Sequence, residues 1–376
     1  MRPGEYVACA SRRAERPHLQ NPLSKTPSLK PPLLGSSEQL EAMQVIDPSI
    51  ALEGTTPNEE ERVRPVTRRT GADRAFRLTT FGAGTLTLVL MGVIGLFLLV
   101  RSWSAISAAG LSFFTTSAWQ PDGGAFGIAA VLLGTFLIAF VALGFAVPLA
   151  AGGALFITDY APSKIKTPLV WLVDLLAAVP SLIYGLWGRA YLQPKIIPIS
   201  EWISTHLGFI PFLKAKPGAG FAASTFIAGV VVALMVLPIC TAVMREVFSQ
   251  APAGEKEGAL ALGGTRWGVV RDVVLPFGRG GMVGASMLGL GRALGETIAV
   301  TLIISPTFDI TRLTHPLETG GNSIASLIAL RFSESSSFGI SALMAAGLAL
   351  FVITLLVNAV ASLVVSRSRS GASTEI

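Results

Sequence analysis

Charge is what this sequence is short of. Only 14% of its 376 residues are Asp, Glu, Lys or Arg, against about 25% in an ordinary soluble domain, and these are concentrated in the first eighty positions. With 51% of residues hydrophobic and a mean hydropathy of +0.61, a water-soluble globule is excluded. Cysteine is nearly absent: Cys9 lies in a polar stretch and Cys240 ends an apolar run, which excludes a disulfide framework. The histidines, His18, His206 and His315, have no metal-ligand spacing, so neither a metal nor a cofactor is expected. No G-x-x-x-x-G-K-[ST] loop occurs to cradle nucleotide phosphates. No Ser-His, paired-Asp or metal grouping lies in the apolar segments, which argues against an intramembrane enzyme. The basic balance, +6 with a pI near 9.6, does not point to nucleic acid, because the basic residues flank apolar runs as the positive-inside rule requires.

The first 75 residues, rich in Pro, Arg, Glu and Ser, hold no apolar run of signal-peptide type. They cannot bury enough apolar surface to offset their ordering entropy, so a disordered cytosolic arm is expected. It reads either as a regulatory segment or as a plain tail, with Met43 a possible later start. Beyond it, apolar runs of about 20 residues, enough to cross a bilayer, recur as six segments: Phe81–Val100, Phe126–Ile157 with Pro148 inside, Pro168–Trp187, Phe221–Val243, Gly281–Ile304 and Gly339–Val365. Backbone groups in lipid must be satisfied within the segment, so the spans are read as helices. The expectation is an all-α polytopic membrane protein, with a permease-like domain over 76–368, a cytosolic loop over 246–280 and a short cytosolic tail over 369–376. Bends are expected at Pro148 and Pro180.

The flanks give an orientation. Arg62, Arg64, Arg68, Arg69, Arg74 and Arg77 precede the first span and place the N-terminus in the cytosol. Lys164, Lys166, Arg245, Lys256, Arg266, Arg271, Arg279, Arg367 and Arg369 then fall on the same side. Arg101, Arg189, Lys195, Lys214, Lys216, Arg312 and Arg331 fall outside. The ratio is about two to one for both termini inside the cell.

Between the fourth and fifth runs lies SQAPAGEKEGALALGGTRWGVVRDVVLPFGRGG. It reads as two short helices, one over Ala253–Leu262 stopped by Gly263-Gly264 and a second over Arg266–Val274 ending before Pro276. Glu255 and Glu257 suit the positive end of the first helix. Ala259, Leu260 and Leu262 give it an exposed apolar face that invites a docking partner. Glu257, Ala259, Gly263, Leu275 and Pro276 resemble, at matching spacing, the EAA loop of ABC-type importer permeases. Gly258 departs from that pattern, which has Ala, and weakens the helix by about 1 kcal/mol. The resemblance implies a type I importer permease architecture in which this loop is the coupling helix seated on an ATP-binding subunit.

Within the fifth run, GLGRALGETIAVTLII carries Arg292 and Glu296 four residues apart, which on one helix would share a face. Charges at bilayer depth cost about 2.5–3.5 kcal/mol each on insertion scales and usually face protein or a water-filled path. Two readings stand: a structural ion pair, or an anion site in which Arg292 offers its planar donors and Glu296 orients it. Gly289, Gly291 and Gly295 let a backbone or a substrate approach. Ser181 and Tyr184 beside Pro180 are further candidate donors, or packed polar groups of the bundle.

The GLGRALGETIAVT run is similar to the fifth span of permeases of phosphate-specific ABC importers. AAVPSLIYGLWG, FFTTSAWQPDGGAFG and AVPLAAGGALFITDYAP agree, so the resemblance covers roughly 81–365. It implies a phosphate cargo passing Arg292 and Glu296, a second homologous permease, two ATP-binding subunits that carry hydrolysis, and an extracytoplasmic phosphate-binding protein. A single Arg paired with a Glu compensates a phosphate anion poorly in a low-dielectric path, so a second cation is expected from the companion permease. The alternatives are a permease for another oxyanion (sulfate, molybdate) or small solute, and a gradient-driven transporter, which has no use for an EAA-like loop.

Overall fold

The computed structural model describes residues 71–367. The expected disordered arm before residue 71 and the tail 369–376 therefore lie outside the described residues. The described residues from Phe76 onward form one compact unit. The chain runs through α1 (Gly71–Ala109), a two-strand hairpin of β1 (Trp119–Gln120) and β2 (Ala125–Phe126), α2 (Ala129–Leu155), α3 (Ser163–Ala178), α4 (Ser181–Trp187), α5 (Gln193–His206) and α6 (Thr225–Ser249). The loop helices α7 (Ala253–Ala261) and α8 (Arg266–Val269) follow. The chain then continues through α9 (Leu275–Gly295), α10 (Ile298–Ile303), α11 (Ile310–Leu313), α12 (Ile324–Arg331) and α13 (Ser337–Arg367). It is an all-helical membrane protein. Among the described residues, five helices are long and apolar enough to cross a bilayer, and the bent pair Ser163–Ala178 and Ser181–His206 makes a sixth span if counted as one.

The expected spans sit on these helices, with corrections at the first helix, the third span, the second loop helix and, as described below, the fifth span. The first helix is far longer than Phe81–Val100, because helix-forming residues continue its pattern on both sides. The third span does not merely bend at Pro180; it breaks there, and its halves lie 89° apart. Val179 takes ψ 127°, the extended conformation favoured before proline, and the helix restarts at Ser181. The second loop helix does not end before Pro276. Arg266–Gly295 is one helical rod, with a π turn at Val270–Val274.

That π turn has a local cause. Pro276 has no N–H to give, and its ring collides with the carbonyl four residues back. The chain widens ahead of it, and the Leu275 N–H reaches back to the Val270 carbonyl. The π turn Gly188–Leu192 before Gln193-Pro194 repeats the arrangement, whereas after Phe156–Tyr160 the residue before Pro162, Ala161, is extended at ψ 130° and the helix ends.

Packing rests on small residues. Ala142, Ala146, Ala150 and Ala154 follow one another at the helical spacing down α2, all fully buried, and this ridge lies in the core with Ile227, Val231 and Val236 of α6. α2 and α6 run parallel, with Gly229 against Val141 at one end and Gly153 near Thr241 further along. α9 crosses α6 antiparallel through Gly278, Gly281 and Gly289. A Cβ at Gly289 would stand 2.7 Å from Val236 and 2.8 Å from the Cys240 sulfur. α1 leans on α13 through Gly95 against Phe351 and Ser104 against the Ser341 hydroxyl at 2.7 Å. Much of α1 is otherwise exposed. At one membrane end, Phe113, Phe126 and Phe338 stack edge to face under the hairpin, at 6.1 and 5.5 Å.

Gly289→Val is expected to destabilise the bundle by about 1–3 kcal/mol through overpacking. Gly295→Ala, with nothing within 4 Å of its Cβ position, should leave the yield of monodisperse protein in detergent unchanged, and size-exclusion chromatography compares the two.

Candidate functional site

The third and fifth spans both break inside the bundle, and the halves that follow the breaks pack on each other. Gly185 of α4 lies against Ala299 of α10, where an added Cβ would come within 2.8 Å of the Ala299 Cα. Three of the sequence-predicted residues, Ser181, Arg292 and Glu296, flank these breaks, and Tyr184 follows one turn after Ser181.

Arg292 and Glu296 do not share a helix face as their spacing suggested. α9 ends at Gly295, and Glu296 adopts ψ 123°. Its carboxylate turns forward and accepts the Ala299 N–H at 3.1 Å. The reason is local: the first turn of α10 has unsatisfied N–H groups and the positive end of a helix dipole, which draw a carboxylate. Arg292 stands in the last turn of α9, the end where a cation is favoured. The break thus separates the two charges, one on each flanking helix end.

The Arg292 guanidinium is exposed and has no hydrogen bond or ion pair among the described residues. It opens on a cavity of about 460 Å3, lined also by Ile239 of α6, Met287, Leu288 and Gly291 of α9, and Thr354 and Asn358 of α13. Tyr184 lies within its electrostatic reach. The Tyr184 hydroxyl itself donates to the Leu176 carbonyl at 2.9 Å, a carbonyl in the last turn of α3 that also accepts the Val179 N–H at 3.3 Å. Ser181, half-buried at the start of α4, has no hydrogen bond among the described residues. The expected glycine cluster divides: Gly289 admits α6, Gly291 faces the Asn358 side chain at 3.7 Å from its Cβ position, and Gly295 borders open space.

Sequence reasoning passed over Asn358 and Thr354. Their signal was an amide and a hydroxyl isolated within the apolar run TLLVNAV. Arg189 was read as an outer-loop cation. It lies instead within the helical segment after the bend and donates to the Leu302 carbonyl at 2.9 Å, near the end of α10.

The loop residues occupy the opposite part of the chain's architecture. α7 ends in a glycine stop: the Gly263 N–H bonds the Leu260 carbonyl at 2.9 Å and the Gly264 N–H bonds the Ala259 carbonyl at 3.0 Å. This paired closure needs a left-handed residue, and Gly263 has φ +85°. Gly264 is required for space, since a Cβ there would lie 2.5 Å from the Ala259 carbonyl oxygen. Glu257 is exposed, and Leu260 and Leu262 are 48% and 91% exposed, so α7 presents the apolar face expected of it. Ala259 is half-buried, as are Leu275 and Pro276 at the start of α9. Trp267 of α8, 59% exposed, extends the apolar patch and was not anticipated. At the other membrane end, Asp309 caps α11. The Thr311 hydroxyl, at 2.6 Å, and its N–H hold the Asp309 carboxyl below the usual range, with Arg312 adding to the effect.

Residues 146–370 match the family described as binding-protein-dependent transport system inner membrane component. The chain is 44% identical over 305 residues to the phosphate transport system permease protein PstC 2 of Mycobacterium tuberculosis (strain ATCC 25618 / H37Rv), covering 80% of this chain and 92% of that protein. It is 40% identical over 308 residues to phosphate transport system permease protein PstC of Haemophilus influenzae (strain ATCC 51907 / DSM 11121 / KW20 / Rd), covering 80% and 95%. A solved bacterial alginate ABC transporter, in complex with an alginate pentasaccharide-bound periplasmic protein, shares the fold at a TM-score of 0.53 and 14% identity, over 81% of this chain and 99% of that one. The chain belongs to the PstC family of permeases, within the inner membrane components of binding-protein-dependent transport systems.

Proposed function

We propose that this chain is one of two permease subunits of an ATP-driven importer and passes inorganic phosphate inward along a path that includes Arg292. The observation that carries the reading is an exposed guanidinium at the break of the fifth span, opening on a cavity, with no counter-charge bonded to it among the described residues. Such a group stays charged and needs either water or an anion, and its fork of donors matches a tetrahedral oxyanion. Relatives named for phosphate transport support phosphate as that anion. Glu296, bonded onward to α10, keeps a negative charge at the site without cancelling the guanidinium. Ser181 and Tyr184 line the approach.

One cation is too little for an anion carrying between one and two charges, so a homologous second permease supplies another and the path lies between the two subunits. With no nucleotide-cradling loop in the sequence, hydrolysis falls to two ATP-binding subunits. Each pair of α7 and α8 seats on one of them through Glu257, Ala259 and the exposed Leu260, Leu262 and Trp267, with Gly263 ending the docking helix and Leu275 and Pro276 joining it to α9. A phosphate-binding protein delivers the anion from outside. The chain sits in the plasma membrane with both termini in the cytosol, a reading supported by the surplus of Lys and Arg at the ends shared by the start of α1, α7 and the end of α13. Residues 1–75 form a cytosolic arm, 76–368 the permease and 369–376 the tail.

Arg292→Leu is expected to abolish phosphate uptake in proteoliposomes while the complex still assembles, and normal uptake would sink the assignment. Excess sulfate or molybdate should leave uptake of labelled phosphate unchanged; equal competition would mean a broader oxyanion cargo. Gly263→Leu should cost about 1–2 kcal/mol at the left-handed position and lose phosphate-stimulated ATPase activity with the subunit still inserted.

A further inference from the structure

We propose that the ion pair between Lys256 and Asp159 is a strut that delivers movement of the docking helix α7 to the second span. The inference rests on the reading of α7 as the docking helix. None of the nine residues of α7 is buried, and its neighbours are α8 and the π turn of its own hairpin. Along the backbone α7 is joined to α6 through Gln250–Pro252 and to the rod Arg266–Gly295 through Leu262–Thr265. The Lys256 ammonium adds an attachment to a third element, meeting the Asp159 carboxylate at 2.9 Å across 97 residues of chain. The pairs Arg312–Asp309 and Arg331–Glu334 are different in kind, each joining residues three apart at 3.7 Å.

Asp159 is held for this role. It sits in the π turn Phe156–Tyr160 that ends α2, a turn closed by the Ala161 N–H on the Phe156 carbonyl at 2.7 Å. Its second carboxylate oxygen accepts the Thr158 hydroxyl at 2.8 Å, and that hydroxyl is also within reach of the Ala154 carbonyl at 3.0 Å. Lys166 reaches the Thr158 carbonyl at 3.4 Å. The pair's side chains are 22% and 17% exposed, so it is less screened than a pair standing free in water. Above Asp159, the buried alanine ridge of α2 lies in the core with α6. A push on α7 therefore reaches spans four and five through the backbone and span two through this pair. Lys256 and Asp159 are positioning residues; neither touches the cargo.

The test uses the whole complex in proteoliposomes, with inorganic phosphate as probe, and reads phosphate imported per ATP hydrolysed. Lys256→Asp and Asp159→Lys should each lower that ratio by about fivefold, the shift that ~1 kcal/mol produces in a two-state equilibrium. Combining them should restore at least half of it. Lys256→Gln and Asp159→Asn, which keep the shape, give the same reading if the reversals fail to assemble. Unchanged ratios in the single variants, or a combined swap no better than either alone, overturn the strut. Co-purification of the ATP-binding subunit separates this from the docking reading. It should survive all these variants and be lost in Leu260→Asp with Leu262→Asp; retention in that last pair would overturn the docking reading instead.

Discussion

A peptide group without a partner inside a bilayer costs several kcal/mol, so every interruption of a span must be closed by something in the protein. This chain interrupts two spans and closes the gaps with side chains. The Tyr184 hydroxyl adds a bond to the Leu176 carbonyl, which Pro180 cannot reach and which otherwise holds the Val179 N–H at 3.3 Å. Glu296 takes the Ala299 N–H left open by the break after Gly295. Arg189 takes the Leu302 carbonyl where α10 runs out. Polar residues that look like path groups in the sequence are thus partly committed to the backbone, whereas the Arg292 guanidinium and the Ser181 hydroxyl have no such commitment among the described residues. The breaks create helix ends at bilayer depth, and helix ends are where charge is tolerated.

Small residues bring those ends together. Gly185 against Ala299, Gly188 against Val231 and Ile303, and Gly289 against Val236 and Cys240 are close approaches that larger side chains would not permit. Hydrophobicity gives little drive for helices to associate in lipid, so close van der Waals contact between such residues takes its place. The result is a pair of broken spans locked at their second halves, beside a cavity that reaches α6 and α13. The same logic explains why α2, with its alanine ridge, is so well buried while much of α1 is not.

Mechanical continuity follows from proline placement. At Pro276 the chain does not stop; a π turn lets the helix pass, so α8 and α9 behave as one rod. At Pro180 it does stop, because Val179 has gone extended and the restart lies 89° away. The difference lies in what precedes the ring: a widened turn accommodates the missing N–H, whereas an extended residue ends the ladder. At the far side of the loop, Gly263 ends α7 because a left-handed residue is needed to close it.

By itself the sequence determined the membrane class, the approximate place of every span and the loop that carries the EAA-like spacing. Each of these depends on local composition: runs of apolar residues, flanking charges, and a glycine stop legible as Gly263-Gly264. Tertiary structure decided which polar residues remain available. Four-residue spacing put Arg292 and Glu296 on one face only so long as a helix joined them. The N–H groups at the start of α10 offered Glu296 a better partner, and α4 packs on that helix through Gly185. Likewise, nothing local ties Lys256 to Asp159, or brings Asn358 to the cavity of Arg292. Those neighbours are 97 and 66 residues apart in the chain. Sequence periodicity registers what repeats within a few turns of helix, while contacts between spans are fixed only when the whole bundle closes.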